Sequence, residues 1–113
     1  IGAAIEVHKE LGPGLLESMY EECLCKEFDL QNMTYLKQKD VDVYYKNIKL
    51  SQKYKVDLIV ENQVVIELKC VDKILPVHIA QLLTYLKITN KKVGLLLNFK
   101  TDILKNGIKR VIL

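Results

Sequence analysis

The chain has 113 residues, half of them hydrophobic and 27% charged, which is the size and make-up of one globular domain. No apolar run approaches the ~18 residues needed to cross a bilayer, and no signal segment opens the chain, so a soluble, cytoplasmic protein with no membrane partner is expected. A net charge of +3 permits a polyanionic partner without demanding one.

Ile1, Ala4, Ile5, His8 and Leu11 recur at helical spacing and predict a first helix that ends near Leu11, where Gly12-Pro13-Gly14 breaks it. Periodicity is already running at Ile1, which is not Met, so an N-terminally trimmed single domain over residues 1–113 is expected. From Leu15 to about Leu30 the positions of Leu16, Met19, Tyr20, Cys23 and Leu24 predict a second, longer helix with Glu17, Glu21 and Glu22 toward its favourable N-terminal end. Val41, Val43 and Tyr45 then alternate with polar residues. Lys46-Asn47 reads as a turn and Ile48 and Leu50 resume the alternation, which predicts a β-hairpin. Tyr54 to Val60 and Val64 to Cys70, separated by Glu61-Asn62-Gln63, predict a second hairpin. Pro76 opens a third helix that Asn90 stops. Val93 to Phe99 reads as a buried strand and Ile108 to Leu113 as a final edge strand. This order predicts an α/β fold, a mixed sheet with antiparallel hairpins flanked by helices.

The three cysteines, Cys23, Cys25 and Cys70, are odd in number and lack CxxC spacing, so reduced core thiols are expected rather than a disulfide framework or a zinc site. Lys37, Lys39, Lys46, Lys49, Lys53 and Lys55 cluster in one stretch, and Lys105, Lys109 and Arg110 in another. Such clusters are commonly solvated faces and only support a nucleic-acid partner. The chain shows no helix-turn-helix, zinc finger or aromatic-interleaved basic stripe, so sequence-specific DNA cleavage is not expected.

The informative stretch runs from Lys55-Val56-Asp57-Leu58 to Ile66-Glu67-Leu68-Lys69, where charges interrupt strands that are otherwise apolar. Alternation places Glu67 and Lys69 on one face with Val65. If residues 61–63 form the loop, Asp57 lies opposite Glu67 with β-carbons ~5 Å apart; a two-residue loop would put Glu67 on the other face. Two carboxylates that close require a proton or a cation between them, and oxygen donors favour a hard ion such as Mg²⁺ or Mn²⁺. The spacing alone leaves open an ordinary ion pair of Asp57 with Lys69 beside a solvated Glu67. Gln81 and Tyr85, four apart on the third helix, share a face, with His78 beside them.

Asp57 followed by Glu67-Leu68-Lys69 resembles the signature of the PD-(D/E)XK nuclease superfamily, with Val56 where the superfamily name has Pro. Gln81-Leu82-Leu83-Thr84-Tyr85 is similar to the QxxxY motif of RecB-type nucleases. Across nearly the whole chain, Gly14-Leu15-Leu16-Glu17-Ser18-Met19-Tyr20, Pro76-Val77-His78-Ile79-Ala80-Gln81 and Gly94-Leu95-Leu96-Leu97-Asn98-Phe99 resemble blocks of the GxxExxY family within that superfamily. The resemblance implies a restriction-endonuclease-like core and metal-dependent hydrolysis of phosphodiester bonds in DNA or RNA. It implies Asp57, Glu67 and Glu17 as ligands of Mg²⁺ or Mn²⁺, and Lys69 as the residue positioning or activating the attacking water. Gln81 and Tyr85 would orient substrate or the lysine; His78, beside them by helical spacing, is a further substrate-binding candidate whose imidazole is more readily satisfied within the helix. Glu17 is also what the first turn of any helix favours. Two alternatives stay open: a non-catalytic nucleic-acid- or protein-binding module on the same fold, and an ion-pair network at an oligomer interface such as a homodimer's.

Overall fold

The computed structural model describes residues 1–113. Helix α1 (Gly2–Leu11) and helix α2 (Glu17–Leu30) pack against one another and are joined through the Gly-Pro-Gly connection. Helix α2 starts at Glu17 rather than at Leu15, because Leu16 keeps an extended backbone as the capping residue. Strands β1 (Tyr35–Tyr45), β2 (Ile48–Val60) and β3 (Val64–Lys69) follow, then helix α3 (Pro76–Thr89), strand β4 (Val93–Asn98) and strand β5 (Ile108–Ile112). One sheet takes the five strands in the order β1-β2-β3-β4-β5. Only β3 and β4 are parallel, with α3 as the crossover between them, and the other neighbours are antiparallel.

The two predicted hairpins share one strand: β2 is continuous from Ile48 to Val60 and pairs with β1 on one side and β3 on the other. Strand β1 begins at Tyr35 rather than near Val41. Residues 36–40 lack apolar alternation because most of them are solvent-exposed, so a hydrophobic pattern carries no signal there. Lys46 and Asn47 form the turn with φ of 48° and 64°, the backbone that a tight two-residue hairpin requires. A short 3₁₀ turn (Leu104–Gly107), absent from the predicted elements, leads into β5.

Two cores sandwich the sheet. On one face Ala3, Val7, Tyr20, Leu24 and Phe28 of α1 and α2 pack against Leu58, Val60, Ile66, Leu68, Leu95 and Leu97. On the other, Leu82, Tyr85 and Leu86 of α3 cover Val56, Ile59, Val65, Leu96 and Val111. The alternating side chains of β3 feed both layers, which is why its hydrophobic residues run almost without a break. Gly94 lets α3 lie close on β4: a methyl group there would fall 2.9 Å from the Leu82 side chain.

Candidate active site

Residues 61–63 do form the turn between β2 and β3, and the paired register Val60 to Val64, Ile59 to Val65, Leu58 to Ile66 ends next to Asp57 and Glu67. At that level the strands stop exchanging backbone hydrogen bonds and the two carboxylates replace them. The Asp57 amide donates to Glu67 Oε1 at 3.1 Å, and the Leu68 amide donates to Asp57 Oδ2 at 3.0 Å. Strand β2 also changes face here. Val56 belongs to the α3-side core and Leu58 to the α1/α2-side core, so side-chain alternation slips at Asp57. Opposite the slip, Gln38 of β1 adopts a left-handed φ of 51°. The irregularity turns Asp57 toward the end of β3 and away from either core.

Glu67 is buried, 6% exposed, among the apolar residues of β3. Burial, and then the neighbouring charge of Asp57, push its carboxyl up to about 8, while Lys69 acts in the opposite direction. Lys69 is half-buried at the last position of β3 and forms no ion pair within 4.0 Å; the ion pairs of the chain join Lys49 and Lys53 to Asp42, Lys55 to Asp40, and Lys100 to Asp72. Two carboxylates therefore sit together without a bonded cation. Glu17, in the first turn of α2, has its carboxyl raised by burial and by the charge of Asp57, with Lys69 again opposing.

The loop before α2 explains how Glu17 reaches this neighbourhood. Tyr20 is fully buried and stacks on Phe99, with ring centroids 4.5 Å apart. Its hydroxyl donates to the Gly12 carbonyl and accepts from the Leu15 amide at 3.2 Å, pinning both sides of the turn. Gly14 takes a φ of 104°, which an L side chain resists, and the chain then enters α2 at Glu17. The Gly14-x-x-Glu17-x-x-Tyr20 pattern is thus a turn, an acid and an anchor.

On the other face, Gln81 Nε2 donates to the Tyr85 hydroxyl at 3.0 Å. Burial and then the charges of Glu67 and Asp57 push the Tyr85 phenol up, and its ring packs with Val56 and Val65, which lie on the same two strands as those acids. His78 sits at the start of α3, where its Nδ1 accepts from the Leu75 amide at 3.0 Å and so caps the helix. Two residues that sequence reasoning missed support the centre. The Gln38 amide donates to Glu21 Oε1 at 2.6 Å and to Asp57 Oδ1 at 3.4 Å. Buried Asn98 donates to the Val71 carbonyl at 2.8 Å and accepts from the Val71 and Lys100 amides, fixing the chain just beyond Lys69. Neither has a local sequence signal; both become visible only once strand pairing sets Gln38 against β2 and Asn98 beside Lys69.

A family model described as the PD-(D/E)XK nuclease superfamily matches residues 1–111. The chain belongs to the PD-(D/E)XK nuclease superfamily. No curated protein and no solved structure gives a match. Membership carries a nuclease-type function and the restriction-endonuclease-like α/β fold to which the five-stranded mixed sheet and its flanking helices correspond.

Enzymes of the PD-(D/E)XK superfamily generally use divalent metal ions. The donor set at Asp57, Glu67 and Glu17 suits such an ion in chemistry: all three offer oxygen, and their mutual repulsion is what a cation relieves. No three His, Cys, Asp or Glu side chains close into a ready-made cage, so Glu17 stands near the Asp57–Glu67 pair without completing it. No helix is long and apolar enough to cross a membrane.

Proposed function

We propose that this chain is a Mg²⁺- or Mn²⁺-dependent nuclease of the GxxExxY group that hydrolyses phosphodiester bonds in DNA or RNA. The observation that carries the reading is the Asp57–Glu67 pair: a buried carboxylate set against a second one, each bonded to the other's strand, with no ammonium or guanidinium within ion-pair distance. Holding such a pair has a free-energy cost that a purely structural site would shed by substituting one acid.

Asp57 and Glu67 would hold the ion, with Glu17 as a further acidic neighbour. When bound, the ion supplies positive charge that acidifies water and offsets charge building on the phosphate. Lys69, free of ion pairs at the end of β3, is placed to donate hydrogen bonds to a non-bridging phosphate oxygen and to position the attacking water. In hydrolysis the water oxygen forms the new bond to phosphorus and the bond to the leaving oxygen breaks, that oxygen taking up a proton. Gln81 holds the Tyr85 hydroxyl beside the carboxylates, where both orient the substrate. His78 is committed to the first turn of α3 through the Leu75 amide.

The deciding experiment follows thermal unfolding during Mn²⁺ titration of wild type, Asp57→Asn and Glu67→Gln. Stabilisation of wild type alone supports the metal site, since a ligand bound only by the folded state raises Tm. Equal behaviour of all three proteins removes the basis for catalysis and leaves a binding module on a nuclease fold.

A further inference from the structure

Beside the carboxylate centre, on the α3 side of the sheet, lies a second concavity of about 320 Å³ walled by Tyr54, Val77, Ala80, Gln81, Thr84 and Tyr85. We infer that it is a nucleobase subsite, in which Tyr54 stacks the base next to the phosphate being cleaved. The inference rests on the nuclease reading for its position and on the pocket's own chemistry for its occupant.

None of the six lining residues is charged, so the occupant is neutral; a phosphate belongs elsewhere. Tyr54 and Tyr85 present rings with centroids 5.5 Å apart, tilted by 59°, and Tyr54 remains 41% exposed, leaving ring surface for a planar partner. Gln81 and Thr84 are the polar side chains of the wall; the Thr84 hydroxyl donates to the Ala80 carbonyl and Gln81 Nε2 to the Tyr85 hydroxyl, which leaves the Gln81 carbonyl, its second N–H and the Thr84 lone pairs for a base edge. A volume near the lower end of small-ligand sites, about 300 Å³, accommodates one heterocycle and little more. Tyr85 lines this pocket and packs in one core with Val56, the neighbour of Asp57, and Val65, two residues before Glu67, so a base held here lies next to a phosphate at the carboxylates.

The chemistry of the subsite favours a single strand over a duplex. Stacking on Tyr54 needs an exposed base face, which an unpaired or splayed nucleotide offers and a paired one does not. The sequence held no aromatic-interleaved basic stripe, and the subsite is not one: Tyr54 on β2 meets Tyr85 on α3 only in the fold.

The test is fluorescence anisotropy on the full chain in EDTA, which prevents cleavage, with three labelled probes of equal length: oligothymidylate, the same backbone made abasic, and a duplex. Wild type should bind oligothymidylate about tenfold more tightly than either other probe, the scale of one base–aromatic stack. Tyr54→Ala should erase that preference, and Tyr54→Phe should keep it. Ala80→Leu, which fills the pocket while leaving Tyr54 in place in the sequence, should erase it too and guards against misfolding of the first variant. Equal binding of base-bearing and abasic strands by wild type overturns the subsite, as does absence of binding to any strand. Retention of the preference in both Tyr54→Ala and Ala80→Leu also overturns it. The nuclease reading fails separately, through loss of Mn²⁺-dependent stabilisation, which this chelated measurement does not probe.

Discussion

Asp57 and Glu67 lie across from one another on β2 and β3, and each carboxylate accepts a backbone hydrogen bond from the opposing strand. The exchange keeps the two strands joined where their ladder ends, and it holds together two carboxyl groups that resist ionising side by side. That conflict gives the first prediction. The Glu67 carboxyl keeps its proton to about pH 8 in the folded chain, against an ordinary value of 4.5 that the unfolded chain regains. Between those values the folded state binds more protons than the unfolded state, so stability must fall as pH rises through this window. The raised carboxyl of Glu17 adds a slope of the same sign. In EDTA the loss should amount to a few kcal/mol, read by urea denaturation at several pH values. Glu67→Gln should flatten most of it, and an unchanged slope in that variant would show that Glu67 is not the group responsible.

Lys69 separates catalysis from metal binding. It shares the centre with the carboxylates but is not an oxygen donor, so Lys69→Ala should leave Mn²⁺ stabilisation in place, or strengthen it by removing a competing positive charge. Cleavage of DNA or RNA should drop by about 10²–10³-fold, the usual loss when one preorganised donor to the developing charge is removed. Full activity in this variant would exclude Lys69 from the reaction.

How much of this was legible in the sequence depends on the range of the interaction. The helices, the Lys46-Asn47 turn and the Asp57–Glu67 register follow from local periodicity and loop length, and the fold reproduces them. Strand Tyr35–Asp40 was not legible, because an exposed arm carries no hydrophobic alternation. Gln38 went unseen with it, since its meaning comes from facing Asp57 across two strands. His78 shares a helix face with Gln81, yet in the first turn its nearer partner is the free Leu75 amide, a local bond that helical spacing alone does not display. The approach of Glu17 to the other acids is likewise a tertiary property, set by Tyr20 and the loop before it.

The Tyr20 hydroxyl supplies a test of that loop. Tyr20→Phe retains the stack on Phe99 but removes the bridge between the Gly12 carbonyl and the Leu15 amide. Stability should fall by about 1 kcal/mol, the net worth of an ordinary hydrogen bond. Mn²⁺ affinity should weaken as well, because the turn that delivers Glu17 is no longer pinned. A variant that loses stability while binding Mn²⁺ as tightly as wild type would show that Glu17 plays no part in holding the ion.

Asn98 offers a different probe, because it is 2% exposed and its amide makes three hydrogen bonds to backbone just past Lys69. Strand β4 sets Asn98 beside Lys69, and the next residue, Phe99, donates its amide to the Lys69 carbonyl at 2.9 Å. Removing the side chain strands polar backbone at the end of the sheet, so Asn98→Ala should destabilise the chain by roughly 1–3 kcal/mol. The damage should be local: hydrogen exchange at the Val71 and Lys100 amides should accelerate before that of the β3 core amides. Asn98→Asp keeps an acceptor for those two amides but cannot donate to the Val71 carbonyl, so it should restore their protection only in part. If protection at Val71 and Lys100 is unchanged in Asn98→Ala, the clamp is not what holds the end of β3, and the placement of Lys69 must come from the β3–β4 ladder alone.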